Sequence, residues 1–471
     1  MRFLETAMYR AELKARMPFR YGIATMTAMP HVFLTVACEF DGRVQAGVAA
    51  DNLPPKWFTK DPSRDPADEI ADMIGVIRQA QRHALSVGSA PTVFAFWRAL
   101  WDRQEEWARA GSVPRLLAHF GTSLVERAVM DAFCRAHGQP FASALRSNAF
   151  GIELGGVHPE LAGTVPSDWL PSQPPRRVFA RHTVGLSDPL TEEEISPAER
   201  LHDGLPQSLE SCIAAYGLRH FKLKIGGADD VSRLRSIAAV LSRAAPHDYA
   251  CSLDGNEAFR TVAGFRAFWG DVCDDPSLAA LRQRLMFVEQ PFHRDIALGA
   301  EIGALASDWP ERPPIIIDES DAGLASLPQA LSLGYAGTSH KNCKGVFKGI
   351  ASACLIARRR RMSPGAALLL TGEDLANIGP VALLQDLAVQ AALGVGSVER
   401  NGHHYFAGLS FWPARLQGQM LEHHPDLYRA GSQGWPTLAI GDGQVSVESV
   451  LAAPFGVGFD VRPASLGELV T

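Results

Sequence analysis

Apolar positions change period along this chain. The stretch "HVFLTVACEFDGRVQAGVAA" (31–50) reads as two β-rich runs joined at Asp41-Gly42, a dipeptide that favours a tight hairpin turn. Antiparallel strands are therefore expected over the first 60 residues. Helical spacing follows in "DPADEIADMIGVIRQAQRHAL" (65–85), which opens with acidic residues, and in "TSLVERAVMDAFCRAHGQP" (122–140), stopped by Gly138 and Pro140. Residues 1 to about 140 thus read as a small α+β unit. Between 150 and 210 the chain is rich in Pro, Gly and Ser, with "VPSDWLPSQPPRR" as a loop and "RVFARHTVGL" as a short β run after it.

From Gly217 the texture becomes regular. Strand-like "HFKLKIG" precedes helical "ADDVSRLRSIAAVLSRAAP", which opens at Ala228. "YACSLDGN", a helix around Ala263–Trp269, "RLMFVEQPF" and "PPIIIDES" come next, followed by helical "LASLPQALSLG". "YAGTSHKNCKG", helical "VFKGIASACLIARRRR" and "ALLLTGEDL" complete the series. Strand alternating with helix signals a parallel sheet with crossovers. Five or six units of about 23 to 35 residues favour a (β/α) barrel over an open sheet. No GxGxxG follows a first strand, which counts against a dinucleotide fold.

Composition narrows the partners. The net charge of -6 gives no reason to expect nucleic acid or an anionic membrane. The basic run "ARRRRM" (357–362) reads as the solvated C-terminal end of a helix, where cations are favoured. Seven cysteines without a CxxC pair fit reduced, buried thiols and a cytoplasmic protein. The first residues break their apolar positions with charges, unlike a signal peptide. No apolar run approaches the roughly 20 residues needed to span a bilayer.

The polar residues at the strand ends carry the chemistry. They are Lys222 and Lys224, Asp254, Glu289, Asp318 with Glu319, and Lys341, spaced by 30, 35, 29 and 23 residues from Lys224 onward. Each interval is about one βα unit. In a barrel, the C-terminal strand ends converge on one mouth, where active sites lie. Three carboxylates meeting there, with no Cys or His before His340, suit Mg²⁺ or Mn²⁺ better than Zn²⁺. Alternation sends Lys222 and Lys224 to one face. A neighbouring cation and a divalent ion would lower the Lys224 pKa and make it a general base. Lys341, four strands further round, would face it. Taken singly, KxK suits a surface strand, Asp-Gly-Asn a turn, and Asp318-Glu319 a helix cap. The ordered set, each member after a β-like run, is what carries the reading.

That set resembles the enolase superfamily, on the muconate-lactonizing enzyme and dipeptide epimerase side of the mandelate racemase/muconate lactonizing enzyme family. "VERAVMDAFCRAHGQPF" (125–141) is similar to the family's helix before the barrel, and "GDGQVSVESVLAAPFGVGFDV" (441–461) to its closing segment. The resemblance implies a (β/α)7β modified TIM barrel with an N-terminal α+β capping domain. On that scheme the cap takes 1–145, a linker or insertion 146–177, the barrel 178–415, and a segment returning to the cap 416–471. It further implies Mg²⁺ held by Asp254, Glu289 and Asp318, acid/base lysines Lys224 and Lys341, and Lys222 on the substrate carboxylate. Asn256 and Glu319 would stand behind the ligands.

The implied reaction removes the proton α to a carboxylate, giving a metal-stabilised enolate. Its outcome would be racemisation, epimerisation or cycloisomerisation, with dehydration by the same lysine pair or a non-catalytic acid-binding barrel as alternatives. A small carboxylic acid is the expected partner, and a homo-oligomer is expected. A hydrolase would need a metal-bound water and usually His ligands, which the strand ends before His340 lack.

Three departures bear on the substrate. "HKNCKGVFKG" replaces the family's Lys-x-x-Lys-x-Gly-Gly, so Lys344 competes with Lys341, and His340 and Cys343 are unexpected neighbours. The 150–210 region is longer than usual. Strand seven ends "LLLTGEDLANIG" without the His of the mandelate racemase branch. Substrate contacts are expected from two mobile loops, Phe19–Thr27 with Tyr21 and Ala49–Lys60 with Lys56, Trp57 and Phe58. Glu373 and His403, the latter beside His404 in "NGHHYFAG", are further candidates.

Overall fold

The N-terminal hairpins form three long antiparallel strands in a computed structural model that describes residues 1–226, 229–303 and 305–470. They are β1 (Arg2–Tyr21), β2 (Ala24–Phe40) and β3 (Arg43–Asn52). β2 turns into β3 at Asp41-Gly42, as the sequence predicts. Three helices cover one face: α1 (Pro66–Val87), α2 (Val93–Ala110) and α3 (Arg115–His137). α2 was not anticipated. Its apolar residues Val93, Phe94, Phe96, Trp97, Leu100 and Trp101 crowd the first two turns behind a Thr92 cap, so its amphipathic stripe is short. α3 is buried on every side from Leu116 to Cys134. Gly47 lets β3 touch it: a Cβ there would lie 2.1 Å from the Ala128 carbonyl oxygen.

Eight parallel strands follow and close on themselves. They are β4 (Arg177–Val184), β5 (His220–Lys224), β6 (Ala250–Asp254), β7 (Leu285–Glu289), β8 (Ile315–Ile317), β9 (Gly337–His340), β10 (Leu369–Gly372) and β11 (Ser397–Arg400). The seam pairs β11 with β4, from Ser397 opposite Phe179 to Arg400 opposite His182. Each of the seven crossovers carries helix. The fold is a closed eight-stranded parallel barrel with an N-terminal antiparallel cap, as the alternation and the resemblance led one to expect. The helix expected to open at Ala228 is described from Asp230 to Ala244; Gly227 and Ala228 lie outside the described residues.

The segment between cap and barrel forms three short 3₁₀ turns, two of which pack on the helix Val346–Met362. Its Glu160 accepts hydrogen bonds from Arg358 (3.2 Å) and Arg359 (2.6 Å). The basic run is therefore partly paired rather than simply solvated. The chain end ties the two halves together. Strand Gln444–Ser446 pairs antiparallel with β4, and Glu468–Leu469 pairs with β1. Among the described residues, no helix is long and apolar enough to cross a membrane.

Candidate active site

The segment expected as a mobile loop at 19–27 is instead the end of a hairpin, with β1 running to Tyr21 and β2 starting at Ala24. The register that aligns Tyr21 with Ala24 leaves only Gly22-Ile23 as the turn. This tip lies over the barrel mouth. The Tyr21 hydroxyl donates to the Pro55 carbonyl at 3.0 Å, joining the tip to the second segment. That segment is anchored by Arg294, which donates to the carbonyls of Phe58 (2.6 Å) and Trp57 (2.9 Å), and by Lys60, which reaches the Asn256 carbonyl.

Beneath lies a cavity. Phe19, Tyr21, Met29, Pro54 and Trp57 form its cap side, and Lys222, Lys224, Asp254, Asn256 and Lys341 enter from the barrel. The side chains of the two acid/base candidates come from β5 and the end of β9, four strands apart in a ring of eight and so on opposite walls.

Carboxylates surround the lysines. The Lys222 Nζ lies 2.9 Å from Asp254 Oδ2, 2.7 Å from Glu289, 2.7 Å from Glu373 and 3.0 Å from Glu399. The Lys224 Nζ donates to Asp254 Oδ2 at 2.6 Å and to Asn256 Oδ1 at 2.7 Å. The sequence puts two like charges on one face of β5; the Asp254 oxygen shared by both amines offsets their repulsion. Burial alone would raise Asp254, but Lys222 and Lys224 outweigh it and hold its carboxyl below the usual range. Burial would likewise lower Lys222, but Asp254, Glu289, Glu373 and Glu399 hold its amine well above the ordinary lysine value.

Lys341 pairs with Asp318 and sits 4.8 Å from the Trp57 ring centroid, a cation–π contact. Burial opposes its charge, but Asp318 and Glu289 hold the ammonium well above its ordinary pKa. Lys344 turns away from the cavity, donating to the Ser339 carbonyl at 2.5 Å and to Asp318 Oδ1 at 3.0 Å. Of the two competing lysines, Lys341 is the one that lines the cavity.

Glu289 and Asp318 are buried behind these amines. Both Glu289 oxygens are buried without a hydrogen-bond partner; the Lys222 amine is near but off the hydrogen-bonding direction. Burial, and then Glu373, push Glu289 well above the carboxylate range. An orphaned buried carboxylate flanked by Asp254 and Asp318 is an all-oxygen donor set that fits a hard divalent cation. The three acids do not yet close on one point. Lys222 stands between Asp254 and Glu289, and Lys341 between Glu289 (4.0 Å) and Asp318. Asn256 donates to Glu319 at 3.2 Å, and burial beside Asp318 raises Glu319 to about 7.

Two substrate candidates lie elsewhere. Glu373 is fully buried below the cavity, where it accepts from Arg181 and Lys222 and is pushed up to about 7 by burial. His403 does not line the cavity: it is buried with its Nε2 3.1 Å from His182 Nδ1 and its ring against Tyr216. Glu399 and Asn401, at the end of β11, line the cavity in its place and were missed. The acid in "SVERN" was a strand-end carboxylate like the others and was the available signal.

No protein-family model and no curated protein matches the sequence. Solved structures do share the fold. An enolase from Bradyrhizobium complexed with magnesium and mandelic acid is 14% identical, with a TM-score of 0.59 over 100% of this chain and 99% of that one. An N-succinyl Arg/Lys racemase from Bacillus cereus is 16% identical, with a TM-score of 0.56 over 96% and 98%. A 2-chloromuconate cycloisomerase from Rhodococcus opacus is 16% identical, with a TM-score of 0.55 over 96% and 98%. At these identities the likeness carries the architecture.

Proposed function

We propose that the protein is a Mg²⁺-dependent isomerase of the enolase superfamily, on its muconate-lactonizing side. In this reading it removes and returns the proton α to the carboxylate of a small acid. The observation that carries it is the placement of Lys224 and Lys341 on opposite walls of one cavity, with Asp254 between Lys222 and Lys224 at its floor. A simple acid-binding barrel needs one cation for its ligand, not two amines facing each other. The names of the solved structures of this fold, which include racemase and cycloisomerase activities and a mandelic acid complex, support a carboxylic acid as substrate.

Asp254, Glu289 and Asp318 are the residues that would hold the cation. When bound, Mg²⁺ supplies positive charge opposite the negative charge that develops on the substrate carboxylate. Lys222, held as an ammonium, adds to that field. Lys224 takes the α-proton from one face. Lys341, held as an ammonium by Asp318, returns a proton to the other, and the roles exchange in the reverse direction. Trp57 and Tyr21 close the cap side and exclude water.

The test is exchange in D₂O with a panel of carboxylic acids and Mg²⁺, read by NMR and mass spectrometry. The wild-type protein should wash deuterium into the α-position of its substrate. Lys341→Ala should keep exchange on one enantiomer and stop interconversion, and Lys224→Ala should do the same for the other. Equal loss of exchange from both enantiomers in one variant, with none in the other, would overturn the two-base assignment.

A further inference from the structure

The barrel seam carries a second cluster of ligating side chains, outside the cavity. His182 lies near the end of β4. Its neighbours Arg181 and Thr183 face the barrel interior, bonding Glu373 and Glu399, so alternation turns His182 outward. Cys212 comes from the helix Leu209–Tyr216 in the first crossover, and His404 from the turn Gly402–Tyr405 just after β11. All three are buried. Each offers one ligand atom, and these atoms lie within 4.8 Å of one another, the one such group of His, Cys, Asp or Glu found among the described residues.

We propose that His182, Cys212 and His404 bind Zn²⁺ and so clip the seam of the barrel. The donor set is the first argument. One thiol and two imidazoles select a borderline-soft ion, whereas the all-carboxylate site in the cavity selects a hard one. The second argument is metric. Cys212 Sγ lies 3.5 Å from His404 Nδ1. A tetrahedral zinc with Zn–S of about 2.3 Å and Zn–N of about 2.0 Å sets that edge at about 3.5 Å. This one edge matches the length a bound ion requires and is also that of a thiol–imidazole hydrogen bond, while the group as a whole lies within 4.8 Å.

The surroundings fit a ligated imidazole. With His404 Nδ1 toward the thiol, its Nε2 faces Asp188 Oδ2 at 3.9 Å, the side from which a carboxylate orients a metal-bound His. Asp188 is fixed by the Tyr405 hydroxyl (2.5 Å) and the Gly185 amide (2.7 Å). His403 lies 3.1 Å from His182 Nδ1 and outside the group of converging ligand atoms. The nearby guanidinium of Arg16 is spent on Asp203, at 2.6 and 2.9 Å, and does not compete for the thiol. Binding releases the Cys212 thiol proton to solvent as the Zn–S bond forms. The ion would join β4, the first crossover and the turn after β11, the elements that meet where the barrel closes.

The experiment uses the full chain. Elemental analysis of protein purified without chelator should find one zinc per chain. Replacement by Co²⁺ should give a thiolate-to-cobalt charge-transfer band and the intense visible bands of a tetrahedral ion. Cys212→Ser should remove the charge-transfer band, and Asp254→Asn should leave it intact. X-ray absorption at the zinc edge of the wild-type protein, which needs no variant, should require one sulfur and at least two nitrogens. No charge-transfer band in the wild type, a band that survives Cys212→Ser, or a zinc shell without sulfur would each overturn the proposal.

Discussion

Lys222 is the side chain on which the charge balance of the barrel interior turns, and Lys222→Met tests it. The amine sits at 2.7 to 3.0 Å from four carboxylates: Asp254, Glu289, Glu373 and Glu399. At an effective dielectric of about 20, each contact is worth roughly 6 kcal/mol before opposing terms. Desolvation of the amine and repulsion among the acids cancel most of that. Removing one partner of a buried ionic cluster typically costs about 3–5 kcal/mol, because the charges left behind have no counter-ion. We therefore expect Lys222→Met to lower stability by about 3–5 kcal/mol in EDTA, measured by thermal and urea unfolding against wild type.

Two further signs are fixed by the same geometry. The amine and a divalent cation compete for Asp254 and Glu289, so the variant should bind Mg²⁺ more tightly. A ligand that binds only the folded state stabilises by RT ln(1 + [L]/Kd), about 2.7 kcal/mol at a hundred times Kd. At a fixed Mg²⁺ concentration, the variant should accordingly gain more stability than the wild type. The pH dependence follows from proton uptake. Glu373 is already pushed up to about 7 by burial in the presence of the amine. Without the amine, the acids rise further above their unfolded values, and folding then takes up protons, so stability is lost as pH rises. The gap between variant and wild type should narrow between about pH 8 and about pH 6. Equal unfolding temperatures in EDTA, an equal Mg²⁺ gain, or a gap that widens toward acid would each refute the reasoning.

Trp57→Ala removes the ring over Lys341, a contact worth about 0.5–2 kcal/mol, and should raise KM or lower kcat several-fold while leaving Mg²⁺ affinity, read by calorimetry, unchanged. Arg127 donates to Asp51 (2.8 Å) and to the Ala50 carbonyl (2.9 Å) where the cap meets the barrel; Arg127→Met should cost about 3–5 kcal/mol in urea unfolding, and Asp51→Asn in the same background should recover part of it. Chimeras exchanging residues 19–27 and 49–60 with those of another protein of this fold should change which acid exchanges in D₂O without changing metal affinity.

The barrel was legible because a parallel sheet writes itself as a repeated unit. "YACSLDGN", "RLMFVEQPF" and "PPIIIDES" each bring an apolar run and then a charge, and β6, β7 and β8 fall on them. The cap was legible only in part. Asp41-Gly42 announces its hairpin, but Gly22-Ile23 carries only the weaker signal of a glycine at the first turn position, here at φ 49°. There the turn is set by pairing along some twenty residues of β1, with Tyr21 opposite Ala24, and a long-range register leaves no local mark. α2 was overlooked because an apolar cluster such as "VFAFW" satisfies strand and helix templates alike.

At the site, the strand-end rule located the lysines and acids but not their balance. A sequence shows that Lys222 and Lys224 share a face; it does not show that Asp254 from β6 inserts one oxygen between them. Nor does it show that Glu399 and Glu373 reach Lys222 from beyond the seam, two and three strands round the ring. Those contacts are closed by β10 and β11, about 150 and 180 residues away in the chain. The same closure decides the histidines. "NGHHYFAG" lies just past a strand end, where a place in the mouth and a solvated loop were both open to His403. The residue that determines its direction is His182, on the strand that β11 meets only when the ring completes. His403 and His404 turn outward at the seam because the inner face there is taken by Glu399 and Asn401. That leaves the cavity floor to carboxylates and amines and the seam to imidazole and sulfur, both at the C-terminal end of β11, donor sets suited to a hard and to a borderline-soft ion respectively.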